Sequence, residues 1–451
     1  MKKLFFAITV LFVLASCNNA KQEVAPSLDS SILNHHPKWI IQGNIYEVNV
    51  RQYTAEGTFK AFSNHLQRLK QMGVQTLWFM PINPIGKTDR KGSLGSYYAV
   101  SNYKVINPEF GTIEDWKNLV KQAHSMGFKV IIDWVPNHTS ADHYWLQKHS
   151  DFYVKDSTGK PISPYDWSDT RKLNYNNAEL VDTMIAQMKW WIDSTNIDGF
   201  RCDVAGDVPD NFWKKCILTL KNTKDIFMLA EGDKPELQKD GFDATYGWNE
   251  FSMMKKIAKG ERKASDFDST INRIDNTFPA NTLRLLFTSN HDENSWNKAD
   301  YETMPGKVHA PFAILSQTLK RSIPLIYSGQ EEPFLRAVRF FDKDTISFKK
   351  LAREKFYTTL LQLHNTNNAL AADAVFTKIK AGNEDAVYAY TKEKNNKKIL
   401  VIVNLSNKEQ TITLLNTKLY GEPLNLFAGT KQKLTSKPYK IEAWGYAIYV
   451  Y

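Results

Sequence analysis

A chain of 451 residues with 42% hydrophobic and 24% charged side chains has the make-up of a folded globular protein and is long enough for more than one domain. Its formal net charge is +10, yet the lysines are scattered, as in KNTKD and KEKNNKK, without an arginine-rich stripe, which argues against nucleic acid as a partner. Three cysteines with no CxxC or histidine-rich spacing argue against zinc and dithiol chemistry.

In chain order, Lys2 and Lys3 precede an apolar stretch over 4–13 that is too short to span a bilayer, followed by Leu14-Ala15-Ser16-Cys17. Small residues before a lone cysteine resemble a bacterial lipobox. That implies a leader over 1–17, with Cys17 lipidated and tethering the chain to an envelope membrane on the periplasmic side or at the cell surface. An ordinary cleaved leader is the alternative. Residues 18–36 read as a polar tether. Cys202 and Cys216 are then expected as buried free thiols, with a disulfide as the alternative.

From 37 to 370 apolar runs alternate with amphipathic stretches. Strand-like runs lie at 44–50, 76–80, 129–134, 199–202, 227–230, 283–289 and 323–327. Helical patterns lie at 59–72, 113–126, 179–194, 211–220 and about 344–365. The aromatic, turn-rich stretch 139–177 is too long for an ordinary connection. Such alternation predicts a parallel sheet. An open doubly wound sheet fits the periodicity equally well, but no GxGxxG or GxxxxGKS follows a strand. Residues 371–451 change character to short β-rich runs broken by Asn, Lys, Gly and Pro, which predicts an antiparallel β-sandwich.

Four apolar runs end in acids: Asp133 in VIIDWVPNH, Asp203 in DGFRCDVAG, Glu231 in MLAEGD and Asp292 in FTSNHDEN. An unpaired buried charge costs several kcal/mol, so four such strand ends predict one shared polar site. The architecture that gathers strand ends is the (β/α)8 TIM barrel. Arg201 and Asp203 are two apart on one strand and share a face, so the guanidinium is expected to keep Asp203 ionised, as a nucleophile must be. Glu231, in a partly apolar setting beside an anion, is expected to hold its proton and act as a donor. Carboxylates on adjacent strands can approach to about 5 Å, the spacing of retaining glycosidases. His138 and His291 adjoin these acids, and imidazoles there can grip sugar hydroxyls.

The set Asp133-x-x-x-Asn137-His138, Gly199-Phe-Arg-x-Asp203, Glu231 and Asn290-His291-Asp292 resembles the four short motifs of the α-amylase superfamily, glycoside hydrolase family 13. The segments Gly95-Ser-Tyr-Tyr-Ala, Asn107-Pro-Glu-Phe-Gly111 and Ile323-Pro-Leu-Ile-Tyr327 support it. The resemblance implies a (β/α)8 barrel with a short domain B at about 139–177, a C-terminal sandwich, and retaining hydrolysis of α-glucan or its oligosaccharides. It also implies roles: Asp203 as nucleophile, Glu231 as general acid/base, and Asp292 on the 2- and 3-hydroxyls of the bound sugar. Arg201 would orient Asp203, His138 and His291 would bind hydroxyls, Tyr98 would stack on the sugar, and Asp133 would support Arg201. Val204-Ala-Gly-Asp207 follows Asp203 where many α-amylases have Lys-His, which puts strict starch-endo action and a structural calcium in doubt. Asn137 and Asp169 are oxygen donors that could still hold such an ion. No cofactor is needed for the chemistry. The competing readings are a transglycosylase such as a 4-α-glucanotransferase and a non-catalytic glycan-binding barrel.

Overall fold

A computed structural model describes residues 30–451; the leader, Cys17 and most of the expected tether lie outside the described residues. The first ten strands are β1 (Ile45–Val48), β2 (Thr76–Phe79), β3 (Lys129–Trp134), β4 (His138–Ser140), β5 (Thr170–Lys172), β6 (Gly199–Cys202), β7 (Phe227–Ala230), β8 (Ala244–Tyr246), β9 (Leu283–Leu286) and β10 (Ser322–Tyr327). All but β4 and β5 close into one parallel barrel in the order β1-β2-β3-β6-β7-β8-β9-β10, with β10 returning to β1. The open doubly wound alternative is thereby excluded. Nearly every barrel-strand residue is buried, because the helices cover one face and the barrel interior the other; this is why the strands read as continuous apolar runs. At Gly199 a Cβ would lie 2.0 Å from the Phe227 carbonyl oxygen, so β6 and β7 meet as they do only with glycine there.

The helices have identifiable start signals. Helix Ile113–Ser125 opens with a capping box in which Thr112 Oγ1 accepts from Asp115 N–H and the Asp115 carboxylate accepts from Thr112 N–H. Helix Ala178–Thr195 is capped by Asn177 and ends at Asn196 in the left-handed region. Two expectations shift. The single helix expected over 59–72 is two, Phe59–Ser63 and Leu66–Met72, broken where Ser63-Asn64 offers poor helix formers. The last barrel helix is shorter than expected, Glu354–Thr366, and the residues before it form an irregular loop over the barrel mouth. The inserted segment is pinned to the barrel by the antiparallel pair β4–β5.

The tail contains β11 (Val375–Ile379), β12 (Val387–Lys394), β13 (Lys397–Asn404), β14 (Gln410–Ile412), β15 (Leu424–Asn425), β16 (Thr430–Lys431), β17 (Tyr439–Ile441) and β18 (Tyr446–Val450). Six of these form an antiparallel sheet in the order β11-β12-β13-β18-β15-β16, and β14 pairs with β17 in a small second sheet. Tyr388, Tyr390, Val401 and Ile448 pack in one cluster with Phe312 and Leu315 of the barrel helix His309–Thr318 and with Leu319 at its C-terminal cap. The alternate residues, such as Ala389, Leu400 and Ile402, pack instead on Ile412 and Ile441 of the small sheet. Cys202 and Cys216 are buried free thiols.

Candidate active site

The strand ladder continues one residue past β6 and β7. Asp203 N–H donates to the Trp134 carbonyl at 2.8 Å and Glu231 N–H to the Cys202 carbonyl at 3.0 Å, so both carboxylates are held at strand tips by backbone. Between them lies the fully enclosed guanidinium of Arg201. Its Nη1 donates to Asp133 Oδ1 at 2.8 Å and Asp203 Oδ1 at 3.0 Å, and its Nε donates to the Tyr246 hydroxyl at 3.1 Å. Its Nη2 lies 2.9 Å from Glu231 Oε2, an ion pair without hydrogen-bond alignment. One cation therefore holds three acids, and the rings of Trp78, Tyr98 and Tyr246 face it.

His291 forms the second cationic point. Its Nδ1 bonds Glu47 Oε1 at 2.5 Å, and its Nε2 lies 2.7 Å from the Tyr98 hydroxyl and 3.4 Å from Asp292 Oδ2. Burial opposes its charge, but Asp292 and Glu47 outweigh that and lift it to about 9, so it is an imidazolium at neutral pH. Both ring nitrogens then donate, and the Tyr98 hydroxyl passes its own hydrogen to Asp133 Oδ2 at 3.2 Å. Trp78 Nε1 donates to the same oxygen at 3.3 Å. His138 behaves oppositely: burial alone pulls it down to about 4, so it is neutral.

Five carboxylates (Glu47, Asp133, Asp203, Glu231, Asp292) thus face two cations. The excess appears as raised acids. Burial pushes Asp133 up to about 6 against the pull of Arg201, and burial raises Glu47. Burial and then the Glu231 charge raise Asp203 well above the ordinary range. For Glu231, burial is outweighed by Arg201 and by the Val204 N–H that donates to Oε2 at 2.8 Å, leaving it below the ordinary value. Arg201 touches both acids, and Glu231 alone also receives a backbone N–H, so the two titrate as one coupled pair.

The site opens into a cleft of about 330 Å³ lined by Tyr98, His138, Asp203, Glu231 and Asp292, with Asp169 and Thr170 from the inserted segment. Arg201 and His291 lie behind this lining, buried. Tyr98 stacks on His291 at 5.5 Å and runs parallel to Phe340 at 6.3 Å. Of the two calcium candidates, Asp169 has the Lys91 ammonium 3.6 Å from Oδ1 while its buried Oδ2 meets no hydrogen-bond partner, and the Asn137 amide nitrogen is engaged by His138 Nδ1 at 3.3 Å. Among the described residues no group of three or more His, Cys, Asp or Glu converges as a metal set. Sequence reasoning missed Glu47, although it is an acid in an apolar strand like the four that were noted. It also missed Tyr246, Trp296, Phe340, Phe341 and Lys91, which sit on short or irregular segments with no periodicity to reveal them.

Comparison with known proteins agrees with this geometry. The family described as "Alpha amylase, catalytic domain" matches residues 30–172 and 164–353, and "Alpha-amylase SusG C-terminal domain" matches residues 387–445. The α-amylase MalA of Haloarcula japonica is 25% identical over 398 residues, covering 84% of this chain; the alignment spans 57% of that relative's own length. Among solved structures, the maltogenic α-amylase AmyB of Thermotoga neapolitana superposes with a TM-score of 0.84 at 26% identity, covering 91% of this chain and 99% of that one. An α-amylase of Lactobacillus plantarum gives 0.81 at 28% identity, covering 92% and 99%. With the family matched along most of its length, the chain belongs to the α-amylase catalytic-domain family.

Proposed function

We propose that the protein hydrolyses α-glucosidic bonds in α-glucans or malto-oligosaccharides with retention of configuration. The observation that carries this is the shared guanidinium, which brings Asp203 and Glu231 from adjacent strand tips to the two nitrogens of Arg201. Asp203 attacks the anomeric carbon while Glu231 protonates the departing oxygen; Glu231 then takes a proton from the water that releases the sugar. An entering glycosidic oxygen displaces Glu231 from Arg201 and from the Val204 amide, which raises its proton affinity. Asp203 keeps Arg201 and becomes the anion. The surplus of carboxylates favours the positive charge that develops on the sugar ring. Asp292 is assigned to its hydroxyls with the buried His291 imidazolium behind it, His138 to another hydroxyl, Tyr98 to its face and Asp133 to the support of Arg201. Every step uses side chains of this chain, without a metal.

Proton NMR of maltoheptaose hydrolysis tests this reading: the first-formed hemiacetal is expected as the α-anomer, and a β-anomer first would overturn it. Transglycosylation is the second reading. It is favoured by an open depression beyond Glu231 walled by Tyr165, Trp167 and Trp248, where a sugar acceptor could replace water. Oligomers longer than the substrate, appearing early, would decide for it.

We further infer, from Lys2-Lys3, the apolar run and Leu14-Ala-Ser-Cys17, that the chain is exported and anchored by lipid at Cys17 to a bacterial envelope membrane. Labelled palmitate should enter the native chain and not Cys17→Ala.

A further inference from the structure

The cleft has two ends, and the chemistry assigns them. Glu231 lines both the cleft over Asp203 and the open depression of about 560 Å³ that holds Tyr165, Asp207, Lys234 and Trp248. A proton donor faces the leaving oxygen, so the departing part of the chain lies on the Glu231 side and the retained sugar on the other. At that other end the segment 86–95, which follows β2, reaches the mouth of the cleft. Lys91 from it and the adjoining Ser96 line the wall together with Phe340 and Phe341.

This segment is fastened on both flanks. Toward the inserted segment, the Lys87 and Thr88 N–H groups donate to Asp142 Oδ2 at 2.6 and 3.1 Å, and Arg171 Nη2 donates to Asp89 Oδ2 at 3.1 Å. Lys91 adds its ion pair with the buried Asp169. Toward the loop after β10, Leu94 N–H donates to the Phe341 carbonyl at 2.9 Å, and Ser93 N–H and Oγ donate to Asp342 Oδ1 at 2.8 and 2.6 Å. Buried Arg51 donates to the Gly95 carbonyl at 3.0 Å from below. Glycine sets the clearance on each flank. A Cβ on Gly86 would lie 2.4 Å from Ser140 Cβ, and one on Gly92, whose φ is +63°, would lie 2.5 Å from Phe341 Cβ. At these two points neither seam leaves room for a side chain.

We propose that this strap ends the cleft on the non-reducing side. The enzyme then attacks α-glucans from their non-reducing ends and releases glucose or maltose instead of cutting mid-chain. The inference rests on the hydrolase reading above, since the polarity of the cleft comes from the role of Glu231. A chain that continued past the retained sugar would have to pass through the strap, whose backbone is bonded to the inserted segment at 87–88 and to the loop after β10 at 93–94.

The test compares maltoheptaose with maltoheptaose whose non-reducing end carries a 4,6-O-ethylidene block, using the full chain and chromatography of the earliest products. Glucose or maltose is expected first from the free substrate, with the blocked one cut at least about 100-fold more slowly. Mid-length oligomers first, or equal rates on both, would overturn the proposal while leaving the hydrolase reading intact. No cleavage of either substrate would overturn both. Loosening the strap with Ser93→Ala, Asp342→Ala and Arg171→Ala together, outside the catalytic residues, is expected to raise cleavage of the blocked chain at least about tenfold. A folded variant, with the native melting profile and activity on the free chain, that still refuses the blocked chain would show that the strap is not the barrier. Should the variant fail to fold, the two native substrates decide the matter.

Discussion

Arg201 on β6 and Arg284 on β9 are both fully enclosed and both ion-paired, yet only one of them organises a site. Arg284 donates from Nε and Nη2 to the two oxygens of Glu250, each at 3.0 Å, from Nη1 to Thr245 Oγ1 at 2.6 Å, and from Nη2 to Asp233 as well. Its donors are spent on a bidentate fork and a hydroxyl, and it lines no part of the cleft. Arg201 holds one more acid than Arg284 does, and two of its acids, Asp203 and Glu231, line the cleft. A buried ion pair is therefore a poor marker of chemistry. The informative signs are carboxylates in excess of cations and a route by which substrate reaches them.

The largest expected effect is on the acids that Arg201 holds. Asp203→Asn and Glu231→Gln should each lower turnover of maltoheptaose by at least about 10³-fold while calorimetric binding persists. Near-native turnover in either variant would remove the assignment. Next comes the pair of arginines. Arg284→Met should cost about 3–5 kcal/mol in urea unfolding, because Glu250 is left buried without its partner, with turnover per folded molecule within about tenfold of native. Arg201→Met should abolish turnover even in protein shown to be folded. If Arg284→Met were equally dead when folded, the distinction drawn here would fail.

A smaller effect concerns His291. Its folded pKa is raised to about 9, against about 6.5 when unfolded. Its contribution to stability is therefore fully present below about pH 6.5 and is lost as pH rises through 9, a change of about 3 kcal/mol. The stability gap between native protein and His291→Gln, read by urea titration at pH 6 and pH 10, should narrow by that order. A constant gap would contradict the imidazolium. The smallest expected effect is that of chelation. With Lys91 beside Asp169, EDTA should leave the melting temperature and activity essentially unchanged, and restoration of lost activity by calcium would show that the pair yields to an ion.

The strand tips were readable because burying an acid at the end of an apolar run is costly wherever the run lies, and Asp133, Asp203, Glu231 and Asp292 each carry that mark in their own few residues. Glu47 carries it too. Its meaning emerges only through His291, 244 positions away. Strand β8 escaped notice because Ala-Thr-Tyr is three residues with a polar centre, too short to show a period. The Val204 amide on Glu231 and the gathering of three acids around one guanidinium were not readable, because each joins residues on different strands. The strap over 86–95 was illegible for a similar reason. Its glycines look like ordinary turn residues until Ser140 and Phe341 arrive against them. In the tail, β12, β13, β14 and β18 fall in the short β-rich runs, while β11, β15, β16 and β17 were too short or too exposed to register.

The six-stranded tail sheet, used on both faces, makes the terminal portion a bearing wall and not an appendage. A chain cut at 370 would leave Phe312, Leu315 and Leu319 as a bare greasy flank on the barrel. The severed tail would carry the matching flank of Tyr388, Tyr390 and Val401. Neither half is built to live alone, so heat should melt the two together as one event, and a free-standing barrel would first need that flank rewritten in polar residues.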